Sequence, residues 1–155
     1  AAKGRLEEAE AMYRSALDAP ARAGDATVAE EPESTDAEAR TQDAFCRLHL
    51  ARIALDRGRL DDAGTELARI GDGPDKMLRP IVGERLLLEA RLALRRGDPE
   101  KAYESLGGRR ADRWSASNEE IALLALSARA SRHEREFRRA LDLAKRRGID
   151  VRSLE

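Results

Sequence analysis

The chain has 155 residues, of which 41% are hydrophobic, and its 29 lysines and arginines nearly balance 30 aspartates and glutamates for a formal net charge of −1. That length and apolar content suffice for one domain with a useful core, and no run approaches the roughly 18 to 20 apolar residues needed to span a bilayer. The near-neutral balance argues against a general polyanion binder, and the single cysteine, Cys46, excludes an internal disulfide.

In chain order, residues 1–19 read as one amphipathic helix whose apolar face carries Leu6, Ala9, Tyr13 and Leu17. The stretch 20–35, with Pro20, Pro32 and Glu30-Glu31, lacks helical periodicity and reads as an inserted mobile linker. A helical hairpin follows over 36–74: Phe45, Leu48, Ala51, Ala54 and Leu55 lie on its first helix, Gly58 marks the turn, and Ala63 and Leu67 lie on its second. Residues 75–107 repeat the pattern, with Leu86, Leu87, Ala90, Ala93 and Leu94 before Gly97 and with Ala102 and Leu106 after it. The connection 108–116 contains Arg109, Arg110, Arg113 and Trp114, the tryptophan either anchoring an interface or closing the loop onto adjacent helices. Residues 117–148 form a degraded copy that opens with the capping box Ser117-Asn118-Glu119-Glu120 and ends in a helix bearing Phe137, Ala140, Leu141 and Ala144. A tail, 149–155, completes the chain.

An internal repeat connects these elements. Gly4–Ala9, Gly58–Ala63 and Gly97–Ala102 share a glycine five residues before an alanine, and a large apolar residue (Tyr13, Leu67, Leu106) follows each alanine four positions later. The glycine is expected to take the left-handed conformation that ends one helix, with the next starting within a residue or two. Acidic residues then fall in the first turn of the second helix, where they complement its positive end. In the third copy Asp98 is placed to cap and Pro99 to occupy the first helical position. In the fourth copy Arg132 stands where the glycine belongs.

These residues resemble the tetratricopeptide repeat family, a helix–turn–helix unit of about 34 residues. Gly4, Leu6, Ala9, Tyr13, Ala16, Leu17 and Pro20 follow the family's second-helix pattern, and Leu50, Ala51, Ala54, Gly58, Leu60, Ala63, Leu67 and Pro74 follow a full repeat. The resemblance implies an all-α chain, a right-handed α–α superhelix of about three and a half repeats and roughly seven helices. Glycine spacings of 54 and 39 residues exceed the family period and imply insertions. Residues 1–19 supply a second helix with no first helix before it, which predicts that the chain is a piece of a longer protein.

The resemblance further implies a non-catalytic protein-binding module, a scaffold or adaptor, whose concave groove is lined by first helices. Aligning the repeats on their glycines puts Phe45, Leu48, Arg52, Asp56, Glu84, Leu87, Arg91, Arg95 and Arg129 on that side, with Leu94 and Glu119 beside them. The four guanidiniums suit bidentate binding of carboxylates, so an acidic peptide or a C-terminal carboxylate is a conceivable ligand; the alternative is that they pair with Asp56, Glu84 and Glu119 or stay solvated. The lysine and asparagine clamp with which some members hold chaperone tails is not matched, since the one asparagine, Asn118, belongs to the capping box.

Other function classes are weaker. The two histidines, His49 and His133, have no zinc-type spacing, and Cys46 near His49 lacks a third orienting group, so no catalytic residue, metal or cofactor is expected. Cys46 reads as a buried, inert thiol. The terminal helix, with Arg129, Arg132, Arg135, Arg138, Arg139, Lys145, Arg146 and Arg147, offers a basic face for nucleic acid, but without interleaved aromatics. Self-association through the uncovered face of the first helix is the structural alternative, and a sensing arm of a larger regulatory protein is another. No membrane contact is expected, and the expected setting is cytoplasmic.

Overall fold

The computed structural model describes residues 2–19, 32–70, 79–106 and 117–150, with side chains over 4–19, 38–70, 81–106 and 117–150. The loop residues Arg109, Arg110, Arg113 and Trp114 lie outside the described residues, as do 20–31 of the expected linker and 151–155 of the tail. The described residues form seven helices and no strand: α1 (Ala2–Asp18), α2 (Pro32–Asp56), α3 (Leu60–Arg69), α4 (Arg79–Arg95), α5 (Pro99–Ser105), α6 (Asn118–Ala130) and α7 (Glu134–Arg146). Helix α2 begins four residues earlier than the pattern predicts, with Pro32 as its first residue, a position that costs a helix nothing because the missing N–H has no intrahelical acceptor there.

The hairpin turns are built alike. Gly58, Gly97 and Arg132 sit at φ 74, 78 and 62°, and Gly148 at 67°. In each case the following N–H reaches back to an alanine carbonyl five residues upstream: Arg59 to Ala54 at 2.8 Å, Asp98 to Ala93 at 2.9 Å, His133 to Ala128 at 2.8 Å and Ile149 to Ala144 at 3.0 Å. The N–H of the left-handed residue itself bonds three residues back, so this is the Schellman arrangement that satisfies the helix's last carbonyls. Arg59, Asp98 and His133 are also the residues preceding α3, α5 and α7, and their carbonyls accept the first bond of those helices. One residue thus closes one helix and opens the next, which makes the connection short. Gly4 differs: it lies inside α1, where no helix ends and nothing imposes a left-handed φ.

The chain divides into two compact units, residues 1–85 and 86–155. In the first, α1 and α3 each pack on α2. Ala51 and Ala63, both 0% exposed, permit the close approach of α2 and α3, and Leu48, Leu50, Leu55 and Leu67 fill the core around them. Arg47 of α2 bridges Asp43 on its own helix (2.7 Å) and Glu66 on α3 (3.2 Å). In the second unit, Ala90 and Ala93 of α4, Ala102 and Leu106 of α5, Ile121, Leu124 and Ala125 of α6, and Ala140 and Ala144 of α7 form one core. Asp98 caps α5 by accepting from the Lys101 N–H at 3.0 Å, and Ser117 caps α6 by accepting from the Glu120 N–H at 3.1 Å. Ile149 packs against the same core, the hydrophobic contact that often accompanies a Schellman end. No described helix is long and apolar enough to cross a membrane.

Candidate functional site

In the first unit, Phe45, His49, Arg52 and Asp56 recur at i, i+4, i+7 and i+11 along α2 and therefore share a face. Phe45 is 45% exposed and packs edge-on against His49, with ring centroids 4.4 Å apart. Tyr13 of α1 stacks on the other side of His49 at 4.7 Å, the two planes only 5° apart. Burial pushes the His49 pKa below its usual value; the Glu84 carboxylate opposes that shift and the Arg52 guanidinium reinforces it. Arg52 donates to Glu84 Oε1 at 2.6 Å, while its buried Nε has no hydrogen-bond partner among the described residues. Leu48, on the adjoining face, is 3% exposed and belongs to the core.

In the second unit, Arg91 lies 3.4 Å from Glu119 of α6. Leu87 is half-buried against the core, whereas Arg95 and Arg129 are exposed at the C-terminal ends of α4 and α6. The two ion pairs occupy the same register. Arg52 and Arg91 stand six residues before Gly58 and Gly97, and Glu84 and Glu119 stand thirteen before Gly97 and Arg132. An arginine on one first helix thus meets a glutamate on the next, once in each unit.

Sequence reasoning missed three features. Glu10 is 6% exposed and receives Arg59 (2.9 Å), Arg14 (2.7 Å) and Arg57. Burial alone would raise its pKa, but the hydrogen bond from Arg59 and the charges of Arg59, Arg14 and Arg57 more than offset this, leaving the carboxyl below its usual value. Glu10, Arg14 and Arg59 line an open cleft of about 210 Å³ floored by Leu50 and Ala54, with Asp62, Glu66 and Arg69 on its rim. The second feature is the Tyr13–His49–Phe45 stack. The third is His133, whose ring stacks on Tyr103 at 4.1 Å while Nε2 lies 3.1 Å from Glu100. In all three the partners are 30 or more residues apart in sequence, apart from the neighbouring residues of each cluster, so local spacing gives no signal.

Cys46 is 1% exposed, accepts from Gln42 Nε2 at 3.7 Å, and has its pKa raised by burial, so it is a packed thiol and not a nucleophile. Among the described residues no three His, Cys, Asp or Glu side chains are grouped to hold a metal ion. On α7, Arg135, Arg139 and Arg146 are exposed, and Arg138 pairs with Glu134 at 2.7 Å.

No curated protein and no solved structure matches the chain. Residues 44–69 and 84–107 match the tetratricopeptide repeat family, whose repeats generally mediate protein–protein interaction and are generally non-catalytic. The first match covers the latter part of α2 through α3, with Gly58 between them, and the second covers α4 from residue 84 through α5, with Gly97 between them. These two helical hairpins are therefore similar to tetratricopeptide repeats.

Proposed function

We propose that the chain is a non-catalytic protein-binding module that takes an acidic segment of a partner against the arginine-bearing faces of its first helices. The observation that carries this reading is the half-exposed state of the Arg52–Glu84 pair, whose side chains are 41% and 38% exposed. An ion pair this open to water contributes only about 0–1 kcal/mol, so an incoming carboxylate exchanges with Glu84 at little cost. Arg52 offers a planar fork for bidentate binding, and the neighbouring Phe45 ring gives an apolar contact beside it. Arg91, paired with Glu119 and 28% exposed, repeats the arrangement in the second unit.

The test is a fluorescence anisotropy titration with a dye-labelled peptide of alternating glutamate and leucine residues, at low and at physiological salt. The proposal predicts salt-sensitive binding that weakens at least tenfold in Arg52→Ala/Arg91→Ala, with the helical circular dichroism unchanged. No binding, or binding indifferent to the double substitution, refutes the acidic-segment reading.

A further inference from the structure

The outward face of α7 departs from the pattern of its own repeat. Three and seven residues after the repeat glycine stand Asp61 and Thr65 on α3 and Glu100 and Glu104 on α5, and all four are exposed. Both helices have others before and after them in the chain, so exposure at these positions belongs to the repeat and does not come from a terminus. Counted from Arg132, the same positions on α7 are Arg135 and Arg139, which are exposed too. Arg146, seven residues beyond Arg139, falls on the same side of the helix. Among the described residues none of these three guanidiniums has an ion-pair or hydrogen-bond partner.

Two arginines here stand where local physics favours another residue. Arg132 takes the left-handed φ of 62° that Gly58 and Gly97 adopt without strain. Arg135 lies in the first turn of α7, at the positive end of the helix, in the place that Asp61 holds on α3 and Glu100 on α5. Neither residue helps the helix or its turn, and departures of this kind concentrate at sites of function. The charge of the surrounding unit agrees: residues 86–155 hold sixteen lysines and arginines against twelve aspartates and glutamates.

We infer that this face binds the phosphate backbone of duplex nucleic acid without reading its sequence. The choice of occupant follows from what the face lacks. The apolar side chains of α7 (Phe137, Ala140, Leu141, Leu143 and Ala144) all belong to the core of the second unit, so none is left to enter a bilayer or to anchor a protein interface. Phe137 is the one aromatic of the helix, so the bases of a single strand find nothing to stack on. What remains is a row of guanidiniums from Arg135 to Arg146, about 16 Å of helix axis. A duplex carries a charge about every 1.7 Å of its axis, so roughly ten phosphates fall within that length and the row needs no particular register. Asp142 lies on the same side, between Arg139 and Arg146, and opposes the anion.

The experiment is a fluorescence anisotropy titration of a dye-labelled duplex of about 20 base pairs with the full chain across a salt series. Three phosphate contacts give a slope of log K against log salt of about −2.7, the same for AT-rich and GC-rich duplexes. Arg135→Asp/Arg139→Thr carries the α3 residues onto α7; it should weaken binding about tenfold or more and bring the slope to about −0.9. Its urea midpoint should stay equal or rise, because an acid suits the helix N-terminus, so lost binding is not lost folding. Asp142→Asn should tighten binding. No binding at low salt, a slope near zero, or an affinity unchanged in Arg135→Asp/Arg139→Thr overturns the inference. Equal weakening in Arg52→Ala/Arg91→Ala also overturns it, since the duplex would then occupy the first-helix faces. Binding to phosphatidylserine vesicles that Arg135→Asp/Arg139→Thr abolishes, with the duplex unbound, overturns it in favour of a membrane surface.

Discussion

Arg52 and Glu84 meet at 2.6 Å across 32 residues of sequence, and Arg91 and Glu119 repeat the contact at 3.4 Å in equivalent register. Such a pair does more to fix which residues face each other than to hold the helices together, since both partners keep much of their hydration. A double-mutant cycle with Arg52→Ala and Glu84→Ala should give a coupling of no more than about 1 kcal/mol. Urea denaturation of the four proteins measures it.

Arg132 occupies the left-handed position that glycine holds at Gly58 and Gly97. A side chain there costs roughly 1 kcal/mol against glycine. Arg132→Gly should raise the unfolding free energy by about that amount, part of it returned by the greater freedom of glycine in the unfolded chain. At Gly97 an added Cβ would meet no atom within 4 Å, so Gly97→Ala should lose about 1 kcal/mol from backbone strain alone. Denaturant midpoints at constant slope distinguish these changes from a change in the unfolded state.

Glu10 makes stability depend on acid. Its folded pKa lies below the usual 4.5, so the native state holds fewer protons than the unfolded one near that value. Its contribution is therefore complete above about pH 4.5 and is lost as pH falls through the folded pKa. Glu10→Gln should cost about 2 kcal/mol at pH 7, because Arg57 and Arg59 lose the charge that compensates their burial. Between pH 7 and pH 3 the variant's stability should fall less than that of the unsubstituted chain, as read by urea titrations at each pH.

His49 acts in a higher pH range with the same sign. Burial depresses its folded pKa below 6.5, so the unfolded chain takes up the proton first and stability declines as pH falls through 6.5 toward the folded value. Removing the opposing carboxylate with Glu84→Gln should lower the His49 titration further, and Arg52→Ala should raise it, because Glu84 raises the value and Arg52 lowers it. NMR titration of the His49 ring follows both shifts.

The turns were legible in the sequence because their cause is local. A left-handed residue after an apolar run determines where one helix stops and the next starts, which is why Arg132 could be placed from spacing alone. The Asp98 and Ser117 caps were legible for the same reason. The start of α2 was not, since Pro32 opens a helix within a stretch that has no apolar period. The site was only half legible. Register put Phe45, Arg52 and Arg91 on first-helix faces, but which arginines are paired depends on contacts between helices. Leu48 shows the same limit: it lies three residues from Phe45 and Ala51, yet only packing decides that it joins the core. The Glu10 cluster had no local signal, as Arg57 and Arg59 lie 47 and 49 residues away.

The central claim is that the chain binds another protein through its first-helix arginines, and the most direct test is affinity capture from native lysate with the unsubstituted chain and Arg52→Ala/Arg91→Ala in parallel, read by quantitative mass spectrometry. The expected result is a protein with an acidic segment that the unsubstituted chain retains and the folded double variant loses. Retention of the same proteins in equal amounts by both would contradict it.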